Sequence, residues 1–217
     1  MQTSSARSQM TYQQVRAWSV LAPEVLEVIE RLPRERFAPE SWRAAAYGDF
    51  PIPLGDGQHM LRPSVVGRVL QMVGVGRNDR VLEIGTGSGY LTACLAMLGT
   101  QVLSLEIRPA LAARARQNLQ AAGIGNAEVE EADAFTWTGG SPRFDVVVLT
   151  GSLPEYDPRF EALLQPGGRL FAATGSGAVM EALLVRLNGA GNRESHGLFE
   201  TVIDPLDHAP VVSKFDF

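Results

Sequence analysis

The nine residues Val-Leu-Glu-Ile-Gly-Thr-Gly-Ser-Gly at positions 81–89 lead from an apolar stretch, Arg80 to Ile84, through three glycines into a helical stretch, Tyr90 to Leu98. Glycines at a turn of this kind let the backbone adopt positive φ and pass close to a ligand. A helix that begins just beyond the turn offers free N–H groups, which favour negative charge. A strand, a glycine-rich turn and a helix in this order are typical of the nucleotide-binding half of a Rossmann-like fold.

Two acidic residues around this turn indicate which cofactor it binds. The third glycine arrives one residue earlier than in the dinucleotide pattern G-x-G-x-x-G, and Glu83 stands two residues before the first glycine. An acid there would repel a pyrophosphate but can attract a cationic amino group, directly or through water. Glu106, which follows the next apolar strand, is placed to accept hydrogen bonds from ribose hydroxyls. A ligand with a ribose, an ammonium group and no phosphate fits S-adenosyl-L-methionine better than NAD.

The rest of the chain alternates strand and helix patterns, which predicts an α/β fold with a doubly wound, parallel, Rossmann-like sheet of seven strands and helices on both faces. Strands are predicted at 80–84, 101–106, 127–131, 144–149, 168–173, 182–188 and 199–203, and helices at 89–98, 109–122 and 158–164. Two helical patterns in 8–32, a Pro- and Gly-rich stretch at 33–62 and a helix over 62–74 precede them. We expect a single methyltransferase domain over 1–217, with 1–62 as an N-terminal helical and loop cap and 63–217 as the core.

The carboxyl ends of parallel strands meet at one edge of a sheet, so the residues after each strand are the candidates for cofactor contact. Asp133 is placed to accept a hydrogen bond from the adenine amine, while the neighbouring Ala134 N–H reaches a ring nitrogen. Thr150 should lie against the cofactor, although it is equally compatible with a role in a turn. The predicted cofactor-binding residues are Glu83, Gly85, Thr86, Gly87, Gly89, Glu106, Ile107, Asp133, Ala134 and Thr150.

Composition excludes several other classes of function. The chain has 217 residues, 45% of them hydrophobic and 20% charged, and a net charge of −5 with scattered arginines, so nothing favours nucleic acid as a partner. No apolar run approaches 18 residues, and the polar start of the chain lacks a signal-peptide pattern, so we expect no membrane span and a cytoplasmic location. One cysteine excludes an intramolecular disulfide, and three histidines far apart in sequence predict no metal site. Composition leaves the oligomeric state open.

Five segments give the chain a resemblance to a known family. They are Leu-Pro-Arg-Glu-Arg-Phe-Ala-Pro at 32–39, Pro-Leu-Gly-Asp-Gly-Gln at 53–58, the glycine motif extended to Tyr90, Phe-Asp-Val-Val-Val at 144–148 and Leu-Gln-Pro-Gly-Gly-Arg-Leu at 164–170. From about Tyr12 onward the chain resembles the protein-L-isoaspartate O-methyltransferase family. The resemblance implies an S-adenosylmethionine-dependent O-methyltransferase that methylates the isoaspartyl carboxylates of proteins or peptides in protein repair.

The resemblance also identifies the catalytic region and two departures from the family pattern. It implies that Gln58, His59 and Leu61 form the catalytic site, but the family reads Thr-Ile-Ser where this chain has His59-Met60-Leu61, so two hydroxyls are absent. A family Pro-Val-Gly that helps to hold the peptide appears here as Ala-Thr-Gly at 173–175. Two alternatives therefore remain: a methyltransferase of the same descent with another, possibly small-molecule acceptor and His59 as base, or a non-catalytic S-adenosylmethionine-binding protein.

Overall fold

The computed structural model describes residues 2–139, 144–190 and 192–210. Within them, seven strands form one sheet and two short strands form a separate hairpin. The hairpin strands are β1 (Ile52–Gly55) and β2 (Gln58–Met60). The sheet strands are β3 (Arg80–Ile84), β4 (Gln101–Glu106), β5 (Ala127–Glu131), β6 (Phe144–Leu153), β7 (Leu164–Ser176), β8 (Val179–Leu187) and β9 (Arg193–Thr201).

The helices precede the sheet or connect its strands. They are α1 (Gln2–Gln9), α2 (Pro23–Arg31), α3 (Pro63–Val73), α4 (Tyr90–Leu98) and α5 (Pro109–Ala121). A π-helical turn (Met10–Val15) extends α1, and 3₁₀ turns cover Arg16–Trp18, Arg34–Arg36, Glu40–Ala45 and Pro158–Leu163. Proline opens α2, α3 and α5, where its missing N–H and fixed φ suit the first helical position. No helix in the described ranges is both long and apolar enough to cross a bilayer.

The strand order in the sheet is β5-β4-β3-β6-β7-β8-β9. The first five of these strands are mutually parallel, and Val81 at the centre lies opposite Val102 on β4 and Val146 on β6. The sequence-based expectation of a fully parallel sheet is wrong for β8, which runs antiparallel to both β7 and β9. Only Gly177 and Ala178 join β7 to β8, and a link of two residues allows a hairpin but no crossover.

Side chains on the central strands alternate between two cores. Val81, Val146 and Val148 face the core that also contains residues of α2, α3, α4 and α5, so these helices cover one side of the sheet. Leu82, Val147 and Leu149 face the other core, which the 3₁₀ turn at 158–163 joins through Phe160. The predicted Rossmann-like α/β fold is confirmed. Helices α2, α3, α4 and α5 cover one face of the sheet, and the 3₁₀ turn at 158–163 packs on the other face.

Two features of this fold position the candidate site. β4, which follows β3 through α4, pairs with one edge of β3, and β6 pairs with its other edge. A crevice therefore opens beyond the carboxyl end of β3. The β1–β2 hairpin, which the sequence analysis assigned to a loop, turns through Gly55, Asp56 and Gly57, all at positive φ. It contributes Gln58 and His59 to the wall of this crevice, and Leu61, directly after β2, lies in the same wall.

Candidate active site

A single cavity at the carboxyl ends of β3, β4 and β6 brings together nearly all of the predicted site residues. The predicted catalytic residues that line it are Gln58, His59 and Leu61. The predicted cofactor residues that line it are Glu83, Gly85, Thr86, Gly87, Glu106, Ile107, Asp133, Ala134 and Thr150. Gly89 does not line it. Instead, Gly89 precedes the first residue of α4 at φ +82°, and a Cβ there would lie 3.3 Å from the Cβ of Ala115, which indicates a packing role.

The glycine turn is held close to the neighbouring strands. The Gly85 N–H donates to the Leu105 carbonyl at 2.8 Å, and Gly85 has φ +95°. A Cβ at Gly85 would lie 2.3 Å from Oγ1 of Thr150, whose hydroxyl donates to the Ile84 carbonyl at 3.0 Å. Glycine is therefore required at position 85 by backbone conformation and by space together. Thr150 acts here as the residue against which the turn is packed.

Glu83 is the buried acid of the site. Its Oε2 accepts hydrogen bonds from the hydroxyls of Thr92 and Ser104, the latter at 2.6 Å. Its Oε1 has no hydrogen-bond partner among the described residues. Burial raises the pKa of Glu83 to about 7; the two hydroxyl donors oppose this rise, and the charge of Glu106 adds to it. A carboxyl group with a spare oxygen and a pKa near neutrality suits a cationic ligand group, which would stabilise its ionised form.

Glu106 at the end of β4 joins the glycine turn to the following loop. Its Oε2 accepts from the Gly87 N–H at 2.8 Å, and its Oε1 accepts from the Arg108 N–H at 3.0 Å. The side chain is buried, with 4% of its surface exposed. Each carboxylate oxygen keeps a further acceptor site. The fixed carboxylate can therefore accept hydrogen bonds from a pair of vicinal hydroxyls, as a ribose presents them.

Asp133 already has two partners. Its Oδ1 accepts from the Phe135 N–H at 2.9 Å, and its Oδ2 lies 2.8 Å from Nδ1 of His208. Burial acts to raise the pKa of Asp133, but the hydrogen bonds from His208 and the Phe135 N–H, with the histidine charge, lower it overall. The pKa of His208 is raised, first by its hydrogen bond to Asp133 and then by the charge of that carboxylate. The predicted adenine acceptor thus also anchors the segment around His208.

The segment 204–208, which we call the strap, contains none of the predicted site residues. Two backbone hydrogen bonds join it to the sheet. The Ser152 N–H donates to the Asp204 carbonyl at 2.8 Å, and the Leu206 N–H donates to the Ser152 carbonyl at 3.0 Å. Asp207 pairs with Arg108 at 2.7 Å, beside the Glu106 carboxylate. Residues 204–207 line the cavity together with the glycine turn. No local sequence pattern marks these contacts, because each joins residues far apart in the chain.

His59 of the hairpin contacts the strap directly. Its Nδ1 lies 3.0 Å from Oδ2 of Asp204, and its backbone N–H donates to the same oxygen at 2.7 Å. Because an ionised carboxylate only accepts, the proton between the two side chains belongs to Nδ1. The ring therefore has a fixed orientation at the cavity wall, about one third exposed.

Arg34 holds the hairpin from the other side. The side chain is fully buried, donating from Nε to the Ala46 carbonyl at 2.9 Å and from Nη2 to the Leu61 carbonyl at 2.6 Å. Its guanidinium also lies over the Tyr90 ring, 5.0 Å from the centroid. Burial lowers the pKa of Arg34 to about 10, so it stays charged at neutral pH. Arg34 lies in the family-like segment 32–39, but no local sequence pattern predicts its contacts with Ala46 and Leu61.

A Rossmann-like sheet with this glycine turn, a buried acid with a free oxygen and a second acid on the neighbouring strand defines an S-adenosylmethionine-dependent methyltransferase. The model of the family described as protein-L-isoaspartate(D-aspartate) O-methyltransferase matches residues 6–203. The chain belongs to this family, and its cofactor is S-adenosyl-L-methionine.

Individual relatives agree with this assignment. The protein-L-isoaspartate O-methyltransferase of Anaeromyxobacter dehalogenans (strain 2CP-C) is 41% identical over 189 residues, which cover 86% of this chain and 90% of that one. The relative of the same name from Methanoregula boonei is 32% identical over 212 residues, 98% of this chain and 95% of that one. A crystal structure of a protein described as a putative protein-L-isoaspartate O-methyltransferase from Plasmodium falciparum, in complex with S-adenosyl-L-homocysteine, superposes with a TM-score of 0.80 at 18% identity. It covers 93% of this chain and 98% of that one, which shows the shared fold.

Proposed function

We propose that this protein transfers a methyl group from S-adenosylmethionine to the α-carboxylate of L-isoaspartyl residues in proteins or peptides, as a step of protein repair. The observation that carries the proposal is the continuity of one cavity, whose wall includes Glu83 and Glu106 on the cofactor side and His59 and Leu61 on the acceptor side. A methyl donor and its acceptor must meet within contact distance, and one cavity with both walls allows this.

We assign the cofactor contacts as follows. Glu83 would hold the amino group, Glu106 would hold the ribose hydroxyls, and Ile107, Asp133 and Ala134 would contact the adenine. The backbone at Gly85, Thr86 and Gly87 would lie against the cofactor, which supplies an electrophilic methyl group on a sulfonium when bound. Glu83 supports this arrangement because its Oε1 is buried without a partner, and a buried unpaired oxygen is costly unless a ligand group completes it.

Methylation of a carboxylate does not require the protein to remove a proton from the acceptor. A carboxylic acid with a pKa near 4 is already ionised at neutral pH, so the acceptor needs alignment, removal of water and hydrogen-bond donors rather than a base. Leu54, Leu61 and Val66 contribute apolar surface to the cavity wall. We also propose that the whole chain forms one methyltransferase domain, because the N-terminal 62 residues supply both Arg34 and the hairpin to this cavity.

The test is transfer of a labelled methyl group from S-adenosylmethionine to an isoaspartyl peptide, with the aspartyl isomer as a matched control. We expect turnover on the isoaspartyl peptide alone, followed by release of methanol from the labile ester. Calorimetry with S-adenosylhomocysteine should show one cofactor site. Cofactor binding without methylation of the isoaspartyl peptide would contradict the proposal.

One observation favours a second candidate function. The pairing of His59 with Asp204 is also the arrangement that makes an imidazole a general base, which a hydroxyl, phenol or amine acceptor would use. A methyltransferase of the same descent acting on such a small molecule would methylate these acceptors and leave the isoaspartyl peptide unchanged. The labelled-methyl assay with both classes of acceptor separates the two functions.

A further inference from the structure

The acceptor side of the cavity lacks hydroxyl donors where the family has them. Positions 59 and 61 are histidine and leucine, and the Leu61 carbonyl is already bonded to Arg34. A carboxylate that enters a partly buried, apolar site without donors would lose its hydration and gain little in return. An isoaspartyl carboxylate therefore needs a donor from another group in this wall.

Two other cationic side chains line the wall. Arg34 is fully buried; its Nε and Nη2 donate to two backbone carbonyls, and its Nη1 has no hydrogen-bond partner among the described residues. Arg108 is paired with Asp207. His59 differs from both, because its ring is about one third exposed and Nε2 has no hydrogen-bond partner among the described residues. Nε2 of His59 is thus an uncommitted ring nitrogen at the acceptor wall.

Asp204 sets the direction of this nitrogen. Its Oδ2 accepts from both the backbone N–H and Nδ1 of His59, and its own carbonyl is fixed by the Ser152 N–H. With Nδ1 engaged, the ring cannot flip without losing a charge-assisted hydrogen bond. Donation from both ring nitrogens requires the imidazolium form, since only this form carries two N–H groups.

We propose that His59 replaces the missing hydroxyls, donating from Nε2–H to the isoaspartyl carboxylate, and that Asp204 is the positioning residue that orients the ring. This inference rests on the proposed function and adds the residue that selects a carboxylate acceptor. In the transfer, one carboxylate oxygen forms a bond to the methyl carbon while the sulfur–methyl bond breaks. The bonding pair goes to sulfur, and no proton changes place, so His59 serves as a donor and not as a base.

Two variants of His59 separate a donor from a base. Glutamine retains an N–H donor but cannot act as a base, whereas phenylalanine retains the ring shape and neither function. We expect His59→Phe to raise the KM for the isoaspartyl peptide about 10- to 100-fold, the range for loss of a hydrogen bond to a charged group. His59→Gln should stay within a few-fold of the unaltered protein. His196→Phe, on the exposed face of β9, is the matched control and should change neither value.

The same variants are tested without turnover. The dissociation constant of the isoaspartyl peptide is measured by calorimetry on protein loaded with S-adenosylhomocysteine, and we expect it to follow KM. Asp204→Asn should raise the peptide KM with little change in the affinity for S-adenosylhomocysteine. Adding Leu61→Ser to the His59→Phe protein returns a hydroxyl to the wall and should recover part of the peptide affinity.

Each outcome decides the inference. Unchanged peptide affinity in His59→Phe would overturn it, because the carboxylate would then be held elsewhere. Equal loss of turnover in His59→Gln and His59→Phe, with unchanged peptide affinity, would overturn it in favour of a base. If the unaltered protein does not methylate the isoaspartyl peptide, the proposed function fails first. That result is distinguishable, because it concerns the protein without any substitution.

Discussion

Glu83 is the residue whose ionisation should control cofactor binding. Its pKa in the cofactor-free protein lies at about 7, and a bound ammonium group would favour the carboxylate form. Binding then releases a proton below pH 7, so the affinity should rise from pH 5.5 to 7 and level off above. Calorimetry with S-adenosylhomocysteine across this range measures the trend, and Glu83→Gln should flatten it. A pH-independent affinity in the unaltered protein would remove Glu83 from the amino-group site.

The free energy of unfolding of the cofactor-free protein depends on pH in the opposite direction to the cofactor affinity. A carboxyl group whose pKa rises from 4.5 to about 7 on folding binds its proton more tightly in the folded state. Its contribution to the free energy of unfolding is therefore fully present below pH 4.5 and is lost as the pH rises to about 7. Glu83 thus costs stability at neutral pH, as expected for an acid kept for binding.

Glu106 permits a direct test of the ribose assignment. Glu106→Ala removes an acceptor for ribose hydroxyls and leaves the N–H groups of Gly87 and Arg108 without their partner. We expect the affinity for S-adenosylhomocysteine to fall about 10- to 100-fold, from loss of charge-assisted hydrogen bonds of about 1.5–3 kcal/mol. Glu131, opposite Glu106 on the next strand but exposed, is the matched control, and Glu131→Ala should bind normally. Equal affinity in both variants would refute the assignment.

At the scale of elements, the strap should determine how fast the cofactor leaves. The His208–Asp133 contact joins it to the proposed adenine-binding residues, and the hydrogen bond and charge of the carboxylate raise the pKa of His208 above 6.5. The charged pair is complete below pH 6.5 and is lost as the pH rises through the raised value. Cofactor dissociation in stopped-flow displacement should therefore accelerate about two- to fivefold toward alkaline pH, a modest effect because the pair is exposed.

In His208→Ala, the cofactor should dissociate at the faster, alkaline rate both below pH 6.5 and above the raised pKa of His208. His196→Ala should release the cofactor as the unaltered protein does. The two substitutions remove the same side chain from exposed positions, so they differ only in the contact with Asp133. A pH dependence that persists in His208→Ala would assign it to another group.

The helices and strands also show which parts of the fold could be predicted from the sequence. The bounds of β3, β4 and β5 were predicted to the residue, since each is a run of alternating or continuous apolar residues closed by a turn. The predicted helix at 158–164 is a 3₁₀ turn of six residues, and the β1–β2 hairpin was missed in a stretch that prolines and glycines mark as loop. Strand direction was wrong for β8 because hydrophobic periodicity carries no information on direction, whereas the two-residue link between β7 and β8 does.

At the scale of the whole molecule, the site is assembled from distant parts of the chain. Gly85, Glu106 and Asp133 could be placed together from sequence because the ends of parallel strands share one edge. The contact between His59 and Asp204 spans 145 residues, and that between Arg34 and Leu61 spans 27; neither has a local pattern. Strand order therefore predicts the positions on the cofactor side. On the acceptor side, the family resemblance identified Gln58, His59 and Leu61. The contacts of His59 with Asp204 and of Leu61 with Arg34 could not be predicted. The acceptor wall exists only when the N-terminal segment, the sheet and the strap are all in position.

This dependence on the intact molecule can be followed through Cys94, the one cysteine of the chain. The thiol is fully buried on α4, and burial raises its pKa to about 12, so the native protein should react very slowly with a thiol reagent. If labelling requires opening of the core beside the cofactor site, S-adenosylhomocysteine at 100 times its dissociation constant should slow it about 100-fold. Protein in denaturant gives the full labelling rate, and Cys94→Ala gives the blank. An equal labelling rate with and without S-adenosylhomocysteine would mean that α4 opens independently of the cofactor site. The acceptor wall would then not depend on one cooperative core.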